Sequence, residues 1–274
     1  MDIGILMYPT GRFPDIAPLA KRAEELGFES IWVPEHAIIP VNAARQGLVP
    51  DEYAYMADPF VALARASAVT TELKLGTAVC LVPERNPLLL AKEVATLDMY
   101  SGGRFVFGIG AGWLESETDI MGGDFEHRWT QVKDSVLAMK ELWTNTEGQY
   151  HGRYYDFPPV YSFPKPVQRP HPLVLLGGQA PNIFNRIVAW GDGWIPIPAS
   201  PNEVRDGRAT LDRLAESAGR DPASIQVTVD HVPAERQLIE QYADAGAGRA
   251  IVLLSTKTED ESLAELDRIA IAVL

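Results

Sequence analysis

Cysteine is almost missing from this sequence: Cys80 is the only one in 274 residues. No disulfide frame can form within the chain, and metal sites built on four cysteines are excluded. Basic residues are also scarce. There are 24 Lys and Arg against 37 Asp and Glu, a formal net charge of -13. A chain this acidic suits neither the phosphate backbone of nucleic acid nor an anionic membrane surface. No apolar run is long enough to span a membrane, and the N-terminus lacks the basic, apolar pattern of a secretory signal. The expectation is a cytoplasmic protein with neither nucleic-acid nor membrane partners. The five histidines form no pair at metal-ligand spacing, so no metal site is expected.

What is present is rhythm. Leu73 to Leu81 is an apolar run of the kind buried on both faces of a sheet. Asn86-Pro87 then reads as N-cap and first helical residue, and Leu89, Leu90, Val94 and Leu97 recur at helical spacing until Gly102-Gly103. Phe105 to Ile109 is the next strand. The same alternation starts with a strand over Asp2–Tyr8 and a helix that Gly27 ends. It continues with Ser30–Val33 and an Asp58-Pro59 helix start. It resumes with strands at Leu173–Leu176, Trp194–Ile197, Ile225–Val229 and Arg249–Leu254, each followed by a helix. Eight strand–helix units imply a parallel sheet closed into a (β/α)8 TIM barrel, with a doubly wound open sheet as the alternative. Residues 144–172 break the rhythm with a hairpin near Tyr150–Phe157 and a proline-rich stretch. We read them as an insertion between strands four and five of one domain covering 1–274. Loops are expected over Ala37–Met56, which holds Tyr53 and Tyr55, and over Glu115–Glu126.

In a barrel the chemistry collects at the C-terminal ends of the strands. Glu35-His36 falls there, after strand two, and histidine exchanges a proton near neutral pH. The plain alternative is a rim histidine satisfied by backbone. His127, His151, His171 and His231 are read as loop or packing residues. Gly108-Ile-Gly-Ala-Gly112 lacks the order of a dinucleotide fingerprint. Its glycines suit either close approach to a flat ligand or a tight turn. Gly177-Gly-Gln-Ala-Pro181 precedes a helix start, where free N–H groups hold phosphate well. Trp113, just beyond strand four, is the tryptophan placed to face a site.

Several stretches together resemble the bacterial luciferase-like monooxygenase superfamily. They are Leu75-Gly-Thr-Ala-Val79, Asn86-Pro87 with Ala91–Asp98, Ser101-Gly-Gly-Arg-Phe105, Gly108–Trp113, Gly177-Gly178 and Gly191-Asp-Gly-Trp194. Trp32-Val-Pro-Glu-His36, Gly112-Trp-Leu-Glu115 and Phe163–Gln168 look most like the branch that uses the deazaflavin coenzyme F420. The resemblance implies a ring across the C-terminal mouth, backed by a non-proline cis peptide that matches Ala78 and Val79. It implies Glu35 and His36 near the reactive face, and Ala111, Gly112 and Ser116 along the cofactor tail. It implies Gly177, Gly178, Gln179 and Ala180 as a phosphate cradle, and Tyr53, Tyr55 and Trp113 around a small-molecule substrate. The implied activity is hydride transfer between F420 and a small organic substrate. His36 would handle the proton, and Glu35 would orient it or bond the cofactor. An FMN-dependent monooxygenase using oxygen and a non-catalytic cofactor-binding barrel are the alternatives. The related sugar-phosphate dehydrogenases carry aspartate before the histidine and glutamate where Trp113 stands. Here the substrate is expected to be more apolar. Arg85, Arg128 and Lys165 are candidates for steering an anionic tail, and the insertion and the 37–56 loop for choosing the substrate. A homodimer is expected.

Overall fold

The computed structural model describes residues 1–10, 14–255 and 258–274. Eleven strands occur among them: β1 (Asp2–Leu6), β2 (Ser30–Val33), β3 (Lys74–Thr77), β4 (Cys80–Leu81), β5 (Phe105–Gly110), β6 (Gly148–His151), β7 (Asp156–Val160), β8 (Val174–Gly177), β9 (Gly193–Ile195), β10 (Gln226–Val232) and β11 (Arg249–Leu253). The helices are α1 (Ile16–Leu26), α2 (Val41–Arg45), α3 (Pro59–Ser67), α4 (Pro87–Ser101), α5 (Glu115–Ile120), α6 (Arg128–Thr144), α7 (Ile183–Trp190), α8 (Pro201–Ser217), α9 (Arg236–Asp244) and α10 (Glu259–Val273).

The sheet runs β3-β2-β1-β11-β10-β9-β8-β5, all parallel, and β5 pairs back onto β3. It is therefore the closed eight-stranded barrel that the alternation implies. The expected third strand is interrupted. Its tail is β4, which pairs separately with β5, and the Ala78–Val79 peptide between β3 and β4 is cis.

The helix starts sit where their residues place them. Asp58 accepts from Val61 N–H ahead of Pro59, Asn86 accepts from Leu88 N–H ahead of Pro87, and Gly27 and Gly102 close α1 and α4 in left-handed conformation. Their apolar faces and the outward face of the sheet form the large core. A smaller cluster of Leu6, Trp32, Val106, Leu175, Ile195 and Ile251 fills the barrel interior. Trp32 lies across β3 so closely that a Cβ on Gly76 would stand 2.2 Å from its ring. Glycine at 76 is what lets an indole plug the barrel beneath the mouth.

The insertion is an antiparallel β6–β7 hairpin held on α6 by the Tyr150 hydroxyl, which donates to Asp134. Its proline-rich end is tied to α4, where Asp98 accepts from the Val167 and Gln168 N–H groups. Two expected loops hold more order than their composition suggests. α2 and a 3-10 turn at Asp51–Tyr55 lie in the first, and α5 lies in the second. No helix among the described residues is long and apolar enough to cross a membrane.

Candidate active site

The mouth of the barrel holds a cavity of about 150 Å³. Its wall draws on the ends of six strands and the 37–56 loop: Tyr8, Glu35, His36, Tyr53, Met56, Ala78, Val79, Trp113, Ile197, Asp230 and His231 take part. Six residues singled out from sequence (Glu35, His36, Tyr53, Ala78, Val79 and Trp113) meet here. Tyr55, Ala111, Gly112 and Ser116 lie outside this wall, Tyr55 and Ser116 being exposed. No residue of the 144–172 insertion contributes, so its expected control of substrate choice has no contact in this cavity.

His36 follows β2 and Pro34. Its Nδ1 lies 2.5 Å from Glu117 Oε2, and both side chains are almost fully buried (6% and 1% exposed). Glu117 comes from the first turn of α5, whose N-cap, Leu114, follows Trp113 directly. Trp113 meets the His36 ring edge-on at 5.8 Å, and Tyr53 stacks on it at 5.1 Å. With Nδ1 committed to a carboxylate, Nε2 is the nitrogen left for proton exchange.

Glu35 does not orient His36. One carboxylate oxygen accepts from Leu81 N–H at 2.6 Å and the other from Arg85 Nε at 2.7 Å. Arg85 also binds Asp58 and Glu93. The pair ties β2 to β4 and so fixes the bulge that carries Val79. Because Arg85 is consumed in this way, it does not steer an anion. Arg128 lies over the Phe125 ring and Lys165 donates to the Leu142 carbonyl, and neither lines the mouth cavity.

Val79 seats its side chain between two strands. A Cβ on Gly110 would lie 2.6 Å from Val79 Cγ2, and one on Gly177 2.8 Å from Val79 Cγ1. These glycines are room for Val79, which turns the bulge into a fixed wall. Behind them Glu84 is buried (6% exposed), and its Oε1 accepts from the Thr118 hydroxyl at 3.1 Å. Burial, and next the Glu117 carboxylate, push the Glu84 carboxyl up to about 8. Cys80 is wholly buried and its thiol is pushed up by that burial, so it is no nucleophile.

A second cavity, of about 400 Å³, lies at the start of α7 and against α8. Gln179 and Ala180 line it, with Pro181, Asn182 and Trp194. Asn182 is left-handed and its side chain does not cap α7, so that helix start keeps unfilled N–H groups. Arg186 donates to the Pro181 carbonyl beside it and stacks over Trp129 at 4.9 Å. Gly178 has φ 94°, and a Cβ there would meet nothing within 4 Å.

Sequence reasoning missed Glu117, Tyr8, Asp230 and His231. His231, read as a loop residue, is on β10 and faces the mouth. The available signal for the first was the acidic run Glu115-Ser-Glu117, which suits the first turn of a helix just after Trp113. Nothing local marks the other three.

A model of the luciferase-like monooxygenase family matches residues 2–262. The chain belongs to that family. Across 281 residues, and 98% of both chains, it is 35% identical to an uncharacterised protein of Mycobacterium tuberculosis. It is 31% identical to the F420-dependent glucose-6-phosphate dehydrogenase of Amycolatopsis mediterranei over 75% of this chain and 62% of that one. It is 28% identical to the FMNH2-dependent dimethylsulfone monooxygenase of Pseudomonas putida over 60% and 45%. In fold it is similar to the coenzyme F420-dependent tetrahydromethanopterin reductase of Methanopyrus kandleri, with a TM-score of 0.79 at 18% identity over 99% and 98% of the two chains. Among these similar proteins some depend on F420 and one on FMNH2. The residues present fit such a group. The closed part of the mouth suits one six-membered ring. Ala78 and Val79 would wall a planar ring at the mouth, and the uncapped start of α7 beside Gln179 and Ala180 would favour a phosphate.

Proposed function

We propose that the protein is an F420-dependent oxidoreductase that moves a hydride between the deazaflavin and a small, mainly apolar organic substrate. The observation that carries this reading is the buried His36–Glu117 pair facing the mouth beside Ala78 and Val79. Hydride chemistry at carbon needs a proton source or sink at neutral pH, and an imidazole held by a carboxylate provides both states. The longer match to an F420-dependent relative than to an FMN-dependent one points the same way.

In this reading Val79 would back the ring, Gly178, Gln179 and Ala180 would border its tail, and the α7 start with Arg186 would hold a phosphate. Ala111, Gly112 and Ser116 flank the tail from the β5 side. When bound, F420 supplies or accepts the hydride. Glu117 fixes the His36 tautomer and stabilises its charged form. His36 Nε2 then takes the proton from an alcohol being oxidised, or returns it to a carbonyl being reduced. Trp113 and Tyr53 hold the imidazole between an edge and a face, and they exclude water from it. Glu35 acts through Arg85 and the bulge, not on the proton.

Purified protein should exchange hydride between F420 and members of a panel of secondary alcohols and ketones. His36→Ala should lower turnover by about 100-fold or more and leave cofactor binding intact. Oxygen-dependent turnover with reduced FMN, and none with F420, would replace this reading with the monooxygenase one that the Pseudomonas relative favours. Cofactor binding with no turnover in either assay, unaffected at His36, would leave a binding barrel.

A further inference from the structure

Across the mouth from His36 lies a second group of proton-bearing side chains that the proposed chemistry does not use. Tyr8 stands two residues beyond β1, and Asp230 and His231 stand near the end of β10. Neighbours on a regular strand point to opposite faces. Here the register of β10 against β11 shifts between Val229 and Val232, and His231 has φ 58°. That bulge brings consecutive side chains together: His231 Nδ1 lies 3.0 Å from Asp230 Oδ2, while Asp230 Oδ1 accepts the His231 N–H at 2.8 Å. The Asp230 side chain has no exposed surface. On the other side of the ring, His231 Nε2 lies 3.0 Å from the Tyr8 hydroxyl. Tyr8 stacks on Tyr53 at 5.5 Å, which in turn stacks on His36, so both groups share one cavity.

Asp230 Oδ2 stands against Nδ1 as a close ion-pair contact that lacks hydrogen-bond geometry, and Nε2 is left to the hydroxyl, so the charge on the ring decides which way the Nε2–Tyr8 bond runs. Two hydrogen-bond states follow. With His231 neutral, Nε2 accepts the Tyr8 hydroxyl proton, and Tyr8 offers only an acceptor to the cavity. With His231 protonated, Nε2–H donates to Tyr8, whose own O–H turns free to donate into the cavity.

We propose that Tyr8 grips the substrate oxygen and that the protonation of His231 selects which form it grips. A carbonyl needs the donor state, and an alcohol hydroxyl is best met by the acceptor state. Tyr8 is a positioning residue that keeps its own proton. The reaction stays balanced through His36: carbonyl, hydride and the His36 proton give the alcohol, and the reverse. This inference rests on the hydride-transfer reading for its substrate class, a carbon–oxygen pair at one oxidation step.

The surroundings agree. Burial, then the Tyr53 hydroxyl and the Asp230 charge, hold the Tyr8 phenol well above its ordinary range, so it stays O–H in both states. The Asp230 carboxylate raises His231 above the usual imidazole range despite burial. Among the described residues the titratable groups around the pair are Tyr53, Glu52 and Asp230 against Tyr8, and Asp230 and Tyr8 against His231. The donor state is therefore filled below a His231 pKa that lies above the ordinary value, and it is lost as the pH rises through it.

Cyclohexanone and cyclohexanol are suitable probes, titrated by ligand-observed NMR into the full chain between about pH 6 and about pH 9, with histidine nitrogen shifts recorded alongside. The ketone should weaken about fivefold across the His231 transition, the worth of one neutral hydrogen bond, while the alcohol should hold or tighten. Tyr8→Phe, which keeps the ring stack, should abolish the split. Asp230→Asn should move it to lower pH together with the His231 nitrogen shifts. Parallel pH curves for the two probes, or a split that survives Tyr8→Phe, would overturn the proposal. The binding split needs no cofactor. A split without hydride exchange would refute only the F420 reading, and exchange without a split would refute only this one.

Discussion

Replacing Glu117 by Gln tests the mechanism at its most exposed joint. The change keeps volume and removes one charge. Glu117 presents two oxygens to two donors: Oε2 to His36 Nδ1 at 2.5 Å and Oε1 to Ile38 N–H at 3.4 Å. A glutamine has one carbonyl and one NH2, so only one donor is satisfied and the other faces an N–H. The shorter contact should keep the carbonyl, and the weak Ile38 bond should be lost. A charge-assisted bond is worth about 1.5–3 kcal/mol and a neutral one about 1. The imidazolium form of His36 should thus lose about 1–2 kcal/mol, or roughly 5- to 30-fold in turnover. The assay is steady-state hydride transfer with kcat and KM separated, together with the pH profile of kcat. KM for the cofactor should barely move, because Glu117 lies behind His36. Glu117→Ala should fall further and also lose stability, since it opens a buried space. An unchanged kcat and pH profile in Glu117→Gln would refute the claim that this carboxylate supports the proton transfer.

Two further outcomes follow from the packing around the site. Glu84 holds its proton to about pH 8, well above a carboxyl in the unfolded chain, so the native state binds more protons than the unfolded one between those values. Stability therefore falls as pH rises through that window. Glu84→Gln should gain roughly 2–4 kcal/mol over the natural protein from about pH 5 to about pH 8, read by urea denaturation at each pH. Gly110→Ala should cost about 1–3 kcal/mol by driving a methyl into Val79. Adding Val79→Ala should recover much of that cost, because the other near neighbour, Leu81, is 4.0 Å away. At Gly177 the same rescue should be weaker, since the Ile109 carbonyl stands 3.1 Å from the new carbon whatever occupies 79. Equal rescue at both glycines would contradict this packing.

The barrel was legible because each of its units carries its own local signals: an apolar run, an Asp-Pro or Asn-Pro helix start, a closing glycine. His36 was legible because it follows a strand directly, and Ala78 and Val79 because the surrounding motif is distinctive. Glu117 is hidden because the sequence of its segment, Glu115–Glu126, reads as loop. α5 is six residues long, and its start at Leu114 has no side-chain cap to announce it. The resemblance puts Glu35 beside His36 without separating its roles, and its bonds to the Leu81 N–H and to Arg85 come from residues 46 and 50 positions on, which no local pattern in the sequence marks. Tyr8 and His231 lie 223 residues apart and meet only because β1, β11 and β10 wrap side by side. A bulge with a left-handed histidine carries no glycine or asparagine to mark it. Long-range closure, not local preference, builds that half of the mouth.

The cofactor claim is tested most directly by titrating purified protein with oxidised F420 and, separately, FMN while following tryptophan fluorescence. Trp113 is 54% exposed and stands at the mouth beside His36. It should report ring binding, and Trp113→Phe should remove most of the signal. The account predicts saturable quenching by F420 at far lower concentration than by FMN. Tighter binding of FMN would contradict it, and so would quenching by neither.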